Sequence, residues 1–314
     1  MHHIYCVTPL YNDWTSCAIL IKRIKELESS GNYKFTIIVV NDGSTIDAED
    51  EVKQVFENVK ILGLKVNVGH QRAIAVGIQY VYNEVKDADT VIVLDSDGED
   101  RPQDIPALIE KSRDTGRIVF AKRKKRQESV VFKTGYFIYK HLFRLLTGQS
   151  ISFGNYSAIP VSKLKKVANL NNIWNHYSGA IIHSRLPYDT VLLDRGKRYS
   201  GTSKMNFTSL VLHGLSSIAV YFDHLSVRIL KFSLYGIGVC FLGISYILYQ
   251  KLFTDNAVPG WASSLILIIM GIALQLFMVT LIVLLLQLSS RKNIDSPNAK
   301  RYLDFIEDEN SKQD

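Results

Sequence analysis

Cysteine is scarce: Cys6, Cys17 and Cys240 are odd in number, far apart and set in apolar surroundings. That spacing excludes a disulfide framework and a cysteine-rich zinc site and fits a reducing compartment. The basic start, long apolar run and small-residue cleavage site of a secretory signal are missing. Only Ile4-Tyr5-Cys6-Val7 is apolar there, so the N-terminus is expected to stay in the cytosol. No internal repeat or low-complexity segment stands out. Acidic residues are scarce between Arg117 and Arg144, where nine basic side chains accompany one acid, Glu128. An anionic partner is implied. Charge of either sign is missing from two longer stretches: Lys231 and Lys251 bracket 19 uncharged residues, and Asp255 and Arg291 bracket 35 more. With 47% hydrophobic residues and a mean hydropathy of +0.05, the chain is not disordered. Its uneven apolar content describes a membrane protein with a soluble head.

Short β-rich runs alternate with amphipathic helical stretches up to about Ala121, the pattern of a parallel sheet with crossover helices. The expected strands are Ile4-Thr8, Phe35-Val40, Lys60-Val66, Thr90-Leu94 and Ile118-Ala121, and the functional loops should follow their ends. An α/β head is expected over residues 1–225, a transmembrane hairpin over 226–290 and a cytosolic polar tail over 291–314. The first span, Phe232-Gln250, would reach about 29 Å. The second, Trp261-Leu288, is longer and richer in Leu and Ile. Arg228 and Lys231 precede the hairpin and Arg291 and Lys292 follow it, whereas the connection offers only Lys251 against Asp255. Both ends are therefore expected in the cytosol. Lys133-Leu146 and Phe207-Leu230 carry apolar residues at helical spacing, which suits helices lying on a membrane or packed on the head's own core.

The strongest local signal is Val93-Leu94-Asp95-Ser96-Asp97-Gly98-Glu99-Asp100-Arg101-Pro102, an apolar strand ending in four acids within six residues. Such crowding is costly without a cation, and Mg²⁺ commonly takes one or two carboxylates together with phosphate oxygens. A lone Asp-x-Asp is more often a solvated turn. Here Thr8-Pro9-Leu10-Tyr11-Asn12 and Val39-Val40-Asn41-Asp42-Gly43-Ser44-Thr45 follow the first two strands, and Asn67-Val68-Gly69-His70-Gln71-Arg72 opens a helix. All these loops fall at one end of the sheet, which favours a metal-diphosphate site. A carboxylate such as Asp42 can accept from a nucleobase imide N–H. Lys122-Arg123-Lys124-Lys125-Arg126 and the loop from Arg195 to Lys204 suit phosphate, although basic loops also attract anionic headgroups. Trp174-Asn175-His176-Tyr177 could contact a donor sugar or form a buried aromatic cluster.

Pro9-x-Tyr11-Asn12, Asn41-Asp42-Gly43-Ser44, Asn67-x-Gly69, Asp95-x-Asp97-x-Glu99, Arg123 with Arg126, and Arg198-x-x-Gly201-x-Ser203-Lys204 together carry a family likeness. In order and spacing they resemble the family 2 glycosyltransferases with a GT-A fold. The resemblance is to the membrane-anchored polyprenyl-phosphate enzymes related to dolichol-phosphate mannose synthase, and it runs from the head through the hairpin. It implies a Rossmann-like GT-A head and inverting transfer of a hexose from a nucleotide-sugar, UDP-linked, to a polyprenyl phosphate such as undecaprenyl phosphate. The reaction would use Mg²⁺ or Mn²⁺ at the cytosolic face of a bacterial inner membrane and serve a cell-envelope glycan. The resemblance assigns the nucleotide-sugar to Pro9, Tyr11, Asn12, Asp42, Ser44, Asn67, Gly69, Arg72 and Asp95. It assigns the metal to Asp95, Asp97 and Glu99, and the acceptor phosphate to Arg123, Arg126, Arg198, Ser203 and Lys204. Asp97, Asn155 and Arg126 would stand at the chemistry. The implied partners are donor, lipid acceptor and bilayer, without nucleic acid, and a homo-oligomer stays open.

Three positions depart from the family pattern. Asn41 stands where Asp is common, Glu99 replaces a common Gln, and Phe153-Gly154-Asn155-Tyr156-Ser157 occupies a region where relatives carry an acid followed by Phe-Arg. Asn155 cannot be a general base. A sugar hydroxyl normally needs one, but a phosphate monoester, with a second pKa of about 6, is already largely anionic at neutral pH. The departure favours a lipid-phosphate acceptor. Two other functions stay open: transfer to another lipid or glycan hydroxyl, with Asp100, Glu128 or Asp194 as base, and a non-catalytic membrane scaffold with a degenerate head.

Overall fold

The computed structural model describes residues 2–29, 32–46, 48–123, 141, 144–145, 147–148, 153–200, 214–254, 260–292 and 297–307. They form two compact units, one drawn from 1–139, 150–220 and 296–314, the other from 140–149 and 221–295.

The first unit is an α/β head. Its elements are β1 His2–Leu10, α1 Trp14–Glu28, β2 Tyr33–Asn41, α2 Glu49–Lys53, β3 Val59–Gly63, α3 His70–Glu84, β4 Thr90–Val93, α4 Ile105–Thr115, β5 Ile118–Arg123, β6 Ser157–Pro160, α5 Val161–Ala168, α6 Tyr177–His183 and β7 Tyr188–Leu193. The strands make one seven-stranded sheet in the order β3-β2-β1-β4-β6-β5-β7. The β6 strand runs antiparallel to β4 and β5, and the remaining pairs are parallel. Helices cover both faces, so the centres of β1 (Ile4-Val7), β2 (Ile37-Val40) and β4 (Val91-Val93) are continuous apolar runs rather than alternating ones. Ile4 and Cys6 of β1 pack with Trp14, Cys17, Leu20 and Ile24 on one face. Val7 packs with Ala73, Ile74 and Val76 on the other. A Cβ on Gly77 would lie 2.4 Å from Val7 Cγ1, so only glycine lets α3 sit this close to the sheet. Burial pushes the Cys6 and Cys17 thiols well up, which makes them packing groups rather than reactive ones.

All five expected strands are present, with shifted ends. The third stops at Gly63 instead of Val66, because Leu64 bridges to Ile306 instead. Two strands, β6 and β7, complete the sheet beyond the expected set. Residues 297–307, expected within a polar tail, pack on the head. Tyr302 is 2% exposed, and its N–H donates to Gln79 Oε1 at 3.1 Å. Gln79 Nε2 donates to the carbonyls of Ala168 at 2.7 Å and Asn298 at 3.0 Å. Phe305 stacks on Trp174 with ring centroids 5.1 Å apart. Trp174 thus belongs to an aromatic cluster, with Arg301 over its ring.

The second unit contains two helices of 32 residues, α7 Phe222–Phe253 and α8 Trp261–Lys292. Leu276 lies against Gly236 and Ile269 against Gly243, so the two run antiparallel. Their most apolar windows have mean hydropathies of 1.7 and 2.8, yet only 11% and 6% of each is buried. A soluble core helix would hide that surface. The α7 helix begins ten residues before the expected span. Most of Lys133-Leu146 lies outside the described residues, and the later part of Phe207-Leu230 is helical from 214 to 219 and again within α7.

Candidate active site

The parallel strands deliver their following loops to one edge of the sheet, where the loops tie to each other. The Asn12 backbone is left-handed, with φ of 52°. Asn12 N–H donates to Ser44 Oγ at 2.9 Å, while its Oδ1 accepts from Thr45 N at 2.8 Å and Ile46 N at 3.1 Å. Asn12 and Ser44 therefore hold the first loop to the second. Asp42 is 3% exposed. Its Oδ1 accepts from Val68 N at 2.7 Å and its Oδ2 from Gly69 N at 3.0 Å, while Asn67 Nδ2 donates to its carbonyl at 3.0 Å. Burial raises the Asp42 carboxyl above the ordinary carboxylate range, and the two backbone donors pull it back. A nucleobase N–H would share an oxygen already engaged. Pro9 is buried at the end of β1, while Tyr11 and Arg72 are exposed at the rim.

The acidic turn after β4 is interleaved with arginines. Arg198 Nη2 lies 2.6 Å from Asp97 Oδ2, Arg195 pairs with Glu99, and Arg123 Nη2 is 3.6 Å from Glu99 and 3.5 Å from Asp100. Asp100 Oδ2 accepts from Asp95 N at 3.0 Å. Burial, then the neighbouring Asp95 charge, raises both Asp97 and Asp100. All four acids supply hard oxygen donors, the set that Mg²⁺ or Mn²⁺ takes. Among the described residues no three acidic, imidazole or thiol side chains form a ligating cluster. The residues fit an ion held by one or two carboxylates and completed by phosphate oxygens.

His70, at the start of α3, joins this cluster to Asn155. Its Nε2 is 3.2 Å from Asp95 Oδ1 and 3.2 Å from the Asn155 side-chain amide. Burial opposes the imidazolium, but the carboxylates of Asp95, Asp100 and Asp97 outweigh it and raise the His70 pKa. Behind Asn155, Ser157 Oγ donates to its carbonyl at 2.9 Å and lies 2.7 Å from Tyr177 Oη. Tyr177 N–H donates to Gln71 Oε1 at 2.7 Å, so the network returns to the start of α3.

The structure thus brings together Asp95, Asp97, Glu99, Arg123, Asn155 and Arg198, and separately ties Asn12, Asp42, Ser44, Asn67 and Gly69 into one loop assembly. Arg126, Ser203 and Lys204 lie outside the described residues. Sequence reasoning did not assign His70 or Arg195. Both sit inside the quoted loops, but their partners are 25 and 96 positions away.

The model of glycosyl transferase family 2 matches residues 5–169. An uncharacterized glycosyltransferase of Bacillus subtilis, YkcC, is 27% identical over 83% of this chain and 81% of its own length. The undecaprenyl-phosphate 4-deoxy-4-formamido-L-arabinose transferase of Klebsiella pneumoniae is 24% identical over 82% and 78%. Among solved structures, glucosyl-3-phosphoglycerate synthase from Mycobacterium tuberculosis in complex with phosphoglyceric acid superposes with a TM-score of 0.51 at 18% identity, covering 71% of this chain and 80% of its own. That synthase has also been crystallised with Mn²⁺ and uridine diphosphate, a form of TM-score 0.49 and 15% identity, covering 71% and 78%. The head has the GT-A fold, and with more than half of its length matched by the family model, the chain belongs to glycosyl transferase family 2.

Proposed function

We propose that the protein is an inverting, metal-dependent glycosyltransferase that moves a sugar from a UDP-sugar to a polyprenyl phosphate, with undecaprenyl phosphate the preferred lipid. The observation that carries this reading is the interleaving of Asp97, Glu99 and Asp100 with Arg123, Arg195 and Arg198, beside an asparagine where an acid would serve a hydroxyl acceptor. A relative whose name specifies undecaprenyl phosphate supports the acceptor class.

In this mechanism Tyr11, Asp42 and the loops it ties hold the nucleoside. Asp97 and Glu99, with Asp95 beside them, would hold Mg²⁺ or Mn²⁺, which when bound offsets charge on the leaving diphosphate. Arg123, Arg126, Arg198, Ser203 and Lys204 bind the acceptor phosphate and aim one of its oxygens at the anomeric carbon. A new C–O bond forms on the face opposite the departing nucleoside diphosphate, which inverts the centre. No side chain removes a proton, because the acceptor arrives as an anion. Asn155 orients rather than deprotonates. Incubating the purified protein with a panel of nucleotide-sugars, Mg²⁺ or Mn²⁺ and undecaprenyl phosphate, followed by mass spectrometry of the lipids, tests the reading. A product on a free-hydroxyl acceptor, with polyprenyl phosphate ignored, would replace it.

We further propose that the head works at the cytosolic face of a bacterial inner membrane, anchored by α7 and α8 as a hairpin. The packing of 297–307 on the head supports an even number of crossings, since the chain returns to the side it left. The Lys/Arg asymmetry around the spans supports the cytosolic side.

A further inference from the structure

Residues 194–200, which follow β7, lie along the acidic turn as a strap. Besides the ion pairs of Arg198 with Asp97 and Arg195 with Glu99, Gly196 N–H donates to Glu99 O and Tyr199 N–H to Asp97 O, both at 2.9 Å. Glycines permit the approach: a Cβ on Gly196 would stand 2.2 Å from Gly98 O, and one on Gly98, where φ is +90°, would stand 2.7 Å from the Tyr199 ring. Arg23 lies over that ring at 4.7 Å. Two of the three carboxylates assigned to a divalent cation, Asp97 and Glu99, therefore already carry guanidinium partners. Each Asp97 oxygen is already engaged, Oδ1 accepting from Glu99 N at 2.9 Å and Oδ2 from Arg198 Nη2 at 2.6 Å, on the side where the strap lies. A guanidinium and a divalent ion compete for the same lone pairs.

We propose that Arg195 and Arg198 are the resident counter-ions of the metal site: the divalent cation enters by displacing them, and the released strap presents both guanidinium groups to the acceptor phosphate. This rests on the metal-dependent reading above and adds an order to it, with metal and donor first and acceptor second. It also gives a specific role to Arg195, which the sequence placed only within a loop suited to phosphate.

The test uses the full-length protein in detergent and the electron paramagnetic resonance signal of free Mn²⁺, titrated with and without UDP. Arg195→Gln and Arg198→Gln should each bind Mn²⁺ about tenfold more tightly than wild type, as expected for loss of one charge-assisted competitor. Equal or weaker binding would overturn the exchange and make the arginines orienting groups for the carboxylates. A second measurement needs no variant. Hydrogen exchange at the Gly196 and Tyr199 amides of wild type should rise severalfold when Mn²⁺ and UDP are added, and unchanged protection would mean that the strap stays docked and the proposal is wrong. Absence of Mn²⁺ uptake by all three proteins would overturn the metal site along with the exchange; uptake without tightening overturns the exchange alone.

Discussion

At Asp42, burial and hydrogen bonding pull in opposite directions, and burial prevails. The folded state then holds a proton that the unfolded chain has released, so ionising this carboxyl costs stability as pH rises from about 4 through the raised value. An Asp42→Asn variant cannot titrate. The difference in melting temperature between the two should therefore move in the variant's favour over that window and then level off; movement the other way would mean that the Val68 and Gly69 amides dominate. A second residue-scale contrast separates binding from proton removal. Arg198→Ala should lower kcat/KM for polyprenyl phosphate by about one to two orders of magnitude, the worth of one charge-assisted contact. Asn155→Ala should be milder, and Asn155→Asp should bring no large gain. A large gain in steady-state assays would show that the chemistry lacks a base. Motif residues such as Asp42, Asp97 and Arg198 were visible in the sequence because their spacing is local. The pairing of His70 with Asp95 and of Arg195 with Glu99 was not, since topology brings those partners together.

Elements were legible where burial leaves a continuous apolar run. β1, β2, β4 and β5 have such runs and β3 keeps Ile61-Leu62, whereas β6 is a short run closed by Pro160 and β7 is nowhere fully buried, so neither stands out from a loop. The docking of 297–307 was hidden for a different reason: polar groups hold much of it, notably the Gln79 amide and the Asn83 side chain donating to Ala299 O at 2.7 Å. Tyr302→Ala should destabilise the head by about 3–5 kcal/mol, the usual cost of deleting a buried aromatic ring. Tyr302→Phe loses only the bond to the Glu84 carboxylate and should cost about 1.5–3 kcal/mol. On the facing side of the helix, Gly77→Ala should cost about 1–3 kcal/mol through overpacking against Val7 and Val40. Denaturant melts of the three variants in one detergent would rank them; a neutral Gly77→Ala would mean that α3 can retreat from the sheet.

For the whole molecule, composition alone separated the α/β head from the two long apolar helices, whose uncharged stretches are long enough for a bilayer core. A cysteine introduced at position 256, between the spans, should react with an impermeant maleimide added outside intact cells, whereas one placed on the exposed face of α4 should react only after lysis. Labelling of both from the same side would refute the hairpin. The return of the chain to the head also sets a timetable for its manufacture. Residues 297–307 leave the ribosome after both apolar helices, yet they supply Tyr302 to the core and Phe305 to the Trp174 stack. A nascent head must therefore wait with that surface uncovered until both apolar helices have been made, and synthesis stalled before then leaves an incomplete head exposed to chaperones and proteases.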